Sequence, residues 1–313
     1  MFVTLCLNPT IQKTLLFKRI NLGEVNRSEK NFTDVSGKGI NVSRVLSQLG
    51  RQVLHITQLA KEDKAWFKAE LEKLKIELLA VGTTARARTC TTLIEENCVT
   101  ELVESGNKVE PETEAELIKA FDRLFADNST KIDALVISGS KAPGFRDSLF
   151  AEIALKAHRC NVPLVLDIRG ADLRALLDAL RKEPVKAGEP PVVIKPNIQE
   201  LHETFFAEQG APLSENQIKT LLAEIFAQYG LMSVITRGKE PVLAFDGKSF
   251  LSIDSKCIPS EKIVNTIGCG DAFAAGFASV LAETGGFEEA VRQGIKCGAL
   301  NAMTLQPGSI EQK

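Results

Sequence analysis

The feature that most constrains this chain is a regular alternation of short apolar runs with longer segments that have apolar residues at helical spacing. The runs are rich in Val, Ile and Leu, and we predict strands at Ala134–Ile137, Leu164–Asp167, Val192–Lys195 and Ser233–Thr236. Strands that alternate with helices form a mostly parallel sheet with helices on both faces. The sequence therefore predicts a single α/β domain over residues 1–313.

The first third of the chain departs from this alternation. Phe2–Leu7 and Val53–Leu59 are predicted as core strands, but residues 12–35 are polar and broken. Arg88–Ile94 and Cys98–Glu104 have strand–turn–strand character. Because that hairpin interrupts the alternation, we expect the segments at about 12–35 and 88–104 to form a small separate β-sheet inserted into the main domain.

Charge and cysteine content exclude several classes of protein. The net charge of −2 gives no basic surface, which argues against a nucleic-acid partner. No apolar run reaches the roughly 18 residues that a membrane span needs. The 7 cysteines are odd in number and include no Cys-x-x-Cys pair, which argues against a disulfide framework or a zinc site. We therefore expect a cytoplasmic protein without membrane or nucleic-acid partners.

Two segments with paired glycines each precede a predicted helix, Gly37-Lys38-Gly39 and Gly268-Cys269-Gly270-Asp271. Successive backbone N–H groups at a helix N-terminus can bind an anion. An acid at that place can take a proton from an attacking hydroxyl while the N–H groups stabilise charge on a transferred phosphoryl group. The alternative for the second segment alone is a helix whose first-turn acid complements the helix dipole.

Polar residues follow the predicted strands at one edge of the sheet. Ser138, Asp167, Lys195 and Thr236 stand at or just after strand ends, where ligands bind in sheets of this kind. There is no G-x-x-x-x-G-K-[ST] motif, and neither glycine segment completes G-x-G-x-x-G. The sequence therefore disfavours a P-loop ATPase and a dinucleotide-dependent dehydrogenase.

Three segments together resemble a known family. Gly37–Gly50 and Asn265–Phe277 resemble the two signatures of the ribokinase-like (PfkB) family of carbohydrate kinases. Lys195–Leu201 is similar to the family's Asn-x-x-Glu element, which is tied to magnesium and phosphate. The segments Leu5–Thr10 and Leu22–Arg27 resemble the phosphosugar branch, which contains 1-phosphofructokinases, tagatose-6-phosphate kinases and the minor 6-phosphofructokinase. These landmarks extend over nearly the whole chain.

The resemblance implies an ATP-dependent, magnesium-requiring kinase of a sugar phosphate, most closely one that converts fructose 1-phosphate to fructose 1,6-bisphosphate. The alternatives are a tagatose-6-phosphate or fructose-6-phosphate kinase, or a catalytically weakened sugar-phosphate-binding regulatory protein. The small sheet would be a lid, and lids of this family often mediate homodimers.

The resemblance also implies site residues. Asp271 would be the general base, and the N–H groups of Gly268, Cys269 and Gly270 the anion hole, with the thiol incidental. Asn197 and Glu200 would order magnesium through water, and the alternative for this pair is a helix capping box. The implied substrate-binding residues are Gln12, Arg27, Gly37, Lys38, Gly39, Asn41, Arg88 and Ser138. The implied nucleotide-binding residues are Lys195, Thr236, Gly238, Gly298 and Asn301. Close helix packing explains Gly298 and Asn301 equally well.

Two departures from the family pattern motivate the alternatives. Gln12 stands where the family usually has an acid that binds sugar hydroxyls, and a neutral amide loses charge assistance of about 1 kcal/mol per hydrogen bond. Arg237–Pro241 replaces a more glycine-rich nucleotide loop. The first change leaves the acceptor sugar open, and the second affects how the triphosphate of ATP is expected to be held.

Overall fold

The computed structural model describes residues 1–96, 98–127, 129–207, 212–255 and 258–311. Asn97, in the predicted hairpin turn, and Cys257 lie outside these residues. The strands are β1 (Phe2–Cys6), β2 (Thr10–Leu16), β3 (Lys30–Ser36), β4 (Val53–Ala60), β5 (Ile76–Thr83), β6 (Arg88–Glu95), β7 (Cys98–Val103), β8 (Ala134–Ser138), β9 (Leu164–Asp167), β10 (Val192–Ile194), β11 (Met232–Arg237), β12 (Glu240–Phe245) and β13 (Phe250–Ile253). The helices are α1 (Lys38–Gln48), α2 (Lys61–Lys73), α3 (Pro111–Ala126), α4 (Leu149–Arg159), α5 (Gly170–Leu180), α6 (Ile198–Phe205), α7 (Glu215–Tyr229), α8 (Cys269–Thr284) and α9 (Phe287–Ala302).

The main sheet has nine strands in the order β13-β12-β11-β10-β9-β8-β1-β4-β5. All neighbouring strands from β11 to β5 pair in parallel, and β12 and β13 add an antiparallel edge. Strands β1, β4, β8, β9 and β10 are buried at every residue, because helices cover both faces of the sheet. The predicted mostly parallel sheet is therefore confirmed.

Each face of the main sheet packs against its own helical layer. One core contains Phe121 of α3 and Phe150 of α4. The opposite core contains Ile40 of α1, Phe273 of α8 and Val291 of α9. Among the described residues, no helix combines the length and the apolar character that crossing a membrane requires.

The small sheet is separate from the main one and has the order β3-β2-β6-β7. Strand β2 pairs antiparallel with β3 and parallel with β6, and β6 pairs antiparallel with β7. Its strands lie within residues 10–36 and 88–103, close to the predicted 12–35 and 88–104. The prediction of a second, small sheet is confirmed.

Sequence patterning does not predict β5, the edge strand of the main sheet. The strand is only partly buried, and Glu77 and Gly82 interrupt its apolar run. Parallel pairing with β4 along its full length holds it in place. Pairing of this kind is set by the neighbouring strand and leaves little periodic signal in the edge strand itself.

Candidate active site

Three polar side chains meet where β8, β9 and β10 end. Ser138 Oγ donates a hydrogen bond to Asp167 Oδ2 at 2.9 Å, and Lys195 Nζ lies 3.1 Å from Asp167 Oδ1. All three side chains are buried. Burial alone would raise the pKa of Asp167, but the ammonium groups of Lys195 and Lys38 outweigh it and lower that pKa. Asp167 therefore carries a permanent negative charge at neutral pH.

Helix α1 begins against β1 and brings Lys38 to the same edge. Gly37 has a φ of 119°, and a Cβ atom at Gly39 would lie 2.6 Å from a carbonyl oxygen of β1, so both positions require glycine. Lys38 Nζ lies 3.0 Å from Glu200 Oε1 and 3.7 Å from Asp167 Oδ2. The charge of Asp167 raises the pKa of Lys38 although burial opposes it. The side chain as a whole remains 42% exposed.

Helix α8 begins directly after Gly268, which has a left-handed conformation (φ 84°), and Asp271 lies in its first turn. It is buried, and Asn41 Nδ2 donates a hydrogen bond to its Oδ2 at 2.8 Å. Burial is the main cause that raises the pKa of Asp271 to about 7; the charge of Lys38 opposes this and that of Asp167 adds to it. A carboxylate with this pKa exchanges its proton readily at neutral pH, as general base catalysis requires.

The N-terminus of α8 adds backbone donors to this space. Cys269 N donates to Thr266 O at 3.3 Å, whereas the N–H groups of Gly268 and Gly270 have no acceptor within the described residues. A Cβ atom at Gly270 would lie 3.8 Å from Lys195 Nζ, so this end of the helix adjoins the Lys195 ammonium. Of the three predicted anion-hole donors, Gly268 and Gly270 are thus available and Cys269 is already engaged.

The predicted magnesium residues form a helix cap. Glu200 N donates to Asn197 Oδ1 at 2.8 Å, and Asn197 N donates to Glu200 Oε2 at 3.0 Å, so the capping-box alternative is confirmed. The described residues contain no group of three or more His, Cys, Asp or Glu side chains placed to hold a metal ion. Each oxygen already accepts one hydrogen bond and keeps a second lone pair, which fits contact with a hydrated magnesium ion better than direct coordination.

The other predicted nucleotide residues lie in two places. Thr236 is half-buried beside Asn197, with which it forms an isolated parallel bridge, and Gly238 is exposed in the next turn. Asn301 is fully buried and donates to Ile267 O at 2.9 Å, and a Cβ atom at Gly298 would lie 3.2 Å from a carbonyl oxygen of α8. The packing alternative is confirmed for Gly298 and Asn301, and their contact with a nucleotide stays a prediction.

The Cys269 thiol of α8 contacts Asn301 of α9. Burial raises its pKa to about 11, and Asn301 Nδ2 lies 3.3 Å from its sulfur. A thiol with this pKa is neutral at physiological pH and a poor nucleophile. This supports the interpretation of the side chain as incidental.

The small sheet carries the remaining predicted residues. Gln12 is buried, and its Nε2 donates to Thr92 Oγ1 at 2.8 Å. Arg88 Nη1 donates to Glu104 O at 3.1 Å, while its buried Nε has no partner among the residues described. Arg27 is exposed between β2 and β3, and no hydrogen bond or ion pair within the described residues joins it to the site.

One residue of this region is missed by the sequence interpretation. Arg44 is fully buried and donates to Asn41 Oδ1 at 3.2 Å, one helical turn before it. Its only sequence signal is a charged residue directly before the apolar pair Val45 and Leu46 of the predicted helix.

Comparisons with known proteins agree with this architecture. A sequence model of the pfkB family carbohydrate kinases matches residues 4–312. The phosphofructokinase-2 of Escherichia coli in complex with substrates and products is 20% identical, with a TM-score of 0.82 over 96% of this chain and 93% of that chain. A possible 1-phosphofructokinase of Thermotoga maritima is 20% identical, with a TM-score of 0.81 over 100% and 94%. The ribokinase of Arabidopsis thaliana complexed with ribose and ATP is 16% identical, with a TM-score of 0.69 over 98% and 94%. These likenesses confirm the ribokinase-like fold.

Proposed function

Because the chain belongs to the pfkB family of carbohydrate kinases, we propose that it transfers the terminal phosphoryl group of ATP to a sugar phosphate, with fructose 1-phosphate as the acceptor and fructose 1,6-bisphosphate as the product. The observation that supports this most is the buried Asp271, whose pKa burial raises to about 7 at the N-terminus of a helix. A base and an anion-binding helix end at one point are what phosphoryl transfer to a hydroxyl needs.

In this proposal Asp271 takes the proton of the acceptor hydroxyl as that oxygen attacks phosphorus. The free N–H groups of Gly268 and Gly270, with the ammonium of Lys195, stabilise negative charge on the transferred group. Because burial raises the pKa of Asp271 to about 7, its ionised fraction increases with pH through the neutral range. Activity should therefore rise with pH through this range.

Asn197 and Glu200 would hold magnesium through its water shell. The ion, when bound, would neutralise charge on the ATP phosphates. Thr236, which forms a backbone bridge with Asn197, would donate its hydroxyl to the same phosphates.

The phosphate already on the acceptor would be bound by Lys38 and Arg88, with a weaker contribution from Arg27. Lys38 keeps a large exposed fraction, and Arg88 Nε is a buried donor without a partner in the described residues. A phosphate would satisfy both groups with charge-assisted hydrogen bonds. Asn41 and Ser138, with Gly37 and Gly39 lining the same helix start, would contact the sugar.

A coupled assay of ATP consumption tests the function. Fructose 1-phosphate, fructose 6-phosphate and tagatose 6-phosphate are compared at equal concentration with magnesium present. We expect the highest kcat/KM with fructose 1-phosphate. A higher value with either of the other two would assign the protein to that kinase instead.

The second candidate is a sugar-phosphate-binding regulatory protein. Gln12, which replaces the usual acid and donates to Thr92, is the observation that favours it. Calorimetry with the same three phosphosugars separates the two candidates. Tight binding of one sugar together with no turnover of any would reject the kinase and support the regulatory protein.

We also propose a homodimer formed through the small sheets. Phe32, Leu102 and Val103 on this sheet are 42%, 55% and 53% exposed, and Leu22 and Val25 beside it are 95% and 78% exposed. The phosphofructokinase-2 of E. coli has a tetrameric inhibited form. Apolar side chains exposed in one region mark a surface that a second copy can cover.

Sedimentation velocity tests this association. The double variant Leu22→Glu with Val25→Glu should be monomeric, whereas the control Phe250→Glu, an exposed apolar residue of the main sheet, should leave the dimer intact. A monomeric wild type would reject the dimer.

The six cysteines within the described residues are free thiols, which supports a cytoplasmic location.

A further inference from the structure

Arg44 is a buried cation that links three separate parts of the chain. It is 1% exposed and lies on α1. Its Nη2 donates to Val35 O in β3 at 2.6 Å, and its Nη1 donates to Pro307 O, after α9, at 2.7 Å. Burying an arginine is costly unless its charge is matched by hydrogen bonds. We therefore expect a buried arginine at this position to have a role besides packing.

The third contact of Arg44 reaches the active site. Its Nη1 lies 3.2 Å from Asn41 Oδ1, and Ser36 Oγ donates to the same oxygen at 2.9 Å. A guanidinium group has five donors and no acceptor, so only the carbonyl side of the Asn41 amide can face it. The amide NH2 is therefore turned away from Arg44 and toward Asp271, where Nδ2 donates to Oδ2 at 2.8 Å.

We propose that Arg44, together with Ser36, is a positioning residue for phosphoryl transfer: it locks the Asn41 amide so that Asn41 holds one oxygen of Asp271 and leaves the other oxygen to the acceptor hydroxyl. Among the described residues, Asn41 Nδ2 is the one hydrogen-bond donor to the Asp271 carboxylate, and it contacts Oδ2, which leaves Oδ1 to the acceptor as this role requires. The inference rests on the proposed function, since it assigns Asp271 the task of base.

The hydrogen bond from Asn41 also sets how easily Asp271 loses its proton. The groups that act on Asp271 include Lys38 and Asn41 from α1, Asp167 from β9 and Lys195 after β10. The charge of Arg44 and the Cys269 thiol also interact with it, and Arg44→Lys keeps that charge. Burial raises the pKa of Asp271 to about 7, and the Asn41 hydrogen bond is among the influences that lower it. Loosening that hydrogen bond favours the protonated acid, so the pKa must rise further.

The test is the pH dependence of kcat/KM in Arg44→Lys and Ser36→Ala. Lysine keeps the charge of residue 44 but loses the planar fork that reaches Asn41 and both carbonyls. In the plot of kcat/KM against pH, we expect the acidic limb to move upward by about one pH unit in Arg44→Lys and about half a unit in Ser36→Ala.

Ser43→Ala is the matched control. Ser43 is buried on the same helix and hydrogen-bonds Thr4, His55 and Gly39 O, and no hydrogen bond within the described residues joins it to Asn41. It should lower Tm without moving the acidic limb. If Arg44→Lys and Ser36→Ala lower Tm and kcat but leave the limb where it is, Arg44 is merely structural and the proposal is overturned. Should Arg44→Lys fail to fold, Ser36→Ala decides by the same criterion.

A second measurement does not depend on turnover. Most carboxyls of the protein are ionised at pH 6, so a protonated carboxyl band in infrared spectra at that pH, absent from Asp271→Asn, reports Asp271 directly. Its midpoint should rise in Ser36→Ala and stay unchanged in Ser43→Ala. If wild type turns over no phosphosugar but this midpoint shifts, the proposed function fails and the positioning by Ser36 and Arg44 stands. An unshifted midpoint overturns the positioning whatever the activity.

Discussion

Asp167 and Asp271 are two equally buried aspartates at one edge of the main sheet, and their surroundings act on them in opposite directions. They are 3% and 5% exposed. Asp167 lies between two ammonium groups, those of Lys195 at 3.1 Å and Lys38 at 3.7 Å, whereas Asp271 receives a hydrogen bond from a neutral amide. Burial favours the protonated form of both acids. At Asp271 burial dominates and the pKa is raised, whereas at Asp167 the ammonium groups outweigh burial and the pKa is lowered. Charged partners, not burial, therefore decide which acid is a fixed charge and which can accept a proton.

The largest expected effect is that of Asp271→Asn on turnover. Asparagine keeps the shape of the side chain but cannot take the acceptor's proton, so kcat should fall by about 10²–10⁴-fold while the affinity for ATP stays within about twofold. Steady-state kinetics and nucleotide titration measure the two quantities. Asp133→Asn, which removes a carboxylate paired with the chain's N-terminus, is the control. Retention of more than about a tenth of the wild-type kcat would show that another group is the base.

Asp167→Asn should act on stability instead. It leaves the buried ammonium of Lys195 without its counter-charge, and breaking a buried ion pair in this way costs about 3–5 kcal/mol of unfolding free energy. Urea denaturation at pH 7 measures the loss. Ser138→Ala removes only the neutral hydrogen bond to the same carboxylate and should cost about 1 kcal/mol. Equal losses in the two variants would mean that the ion pair contributes nothing beyond a hydrogen bond.

The pH dependence of stability separates the two acids by sign. The folded-state pKa of Asp271 lies above its ordinary value, so the contribution of this one group to the free energy of unfolding decreases as pH rises from about 4 to 8. Asp271→Asn should be as stable as wild type at pH 4 and about 1–3 kcal/mol more stable at pH 8. The pKa of Asp167 is lowered, so its stabilisation is present at neutral pH and disappears on acidification. Parallel curves for the two Asn variants would contradict the comparison.

Much of the main sheet follows from local patterning. The predicted strand Leu164–Asp167 coincides with β9, because a fully buried parallel strand is a continuous apolar run. The same rule places Ser138, Asp167 and Lys195 together, since the carboxyl ends of parallel strands share one edge. Strand β5 is not predicted by this rule, because an edge strand is only partly buried and needs no continuous apolar run.

The electrostatics of the site depend on long-range contacts that residue types and spacing in the sequence do not predict. Arg44 is buried because two backbone carbonyls point at it, one of them 263 residues away at Pro307. The direction of a carbonyl group is a property of the folded chain and not of residue type. Asn197 and Glu200 show the converse, because their spacing fits both a capping box and a magnesium site, and only the capping box is formed by the chain alone.

The smallest expected effect concerns Gln12, which lies away from both aspartates on the small sheet. Gln12→Asp places a shorter, charged acceptor where an amide now donates to Thr92, and a carboxylate binds a sugar hydroxyl more strongly than an amide does. The ratio of kcat/KM values between fructose 1-phosphate and tagatose 6-phosphate should change by about three- to tenfold. Thr92→Val, which removes the same hydrogen bond without adding charge, should leave that ratio unchanged. An unchanged ratio in Gln12→Asp would place residue 12 outside the sugar site, and selectivity would then depend on the side of the site that holds Lys38 and Asp271.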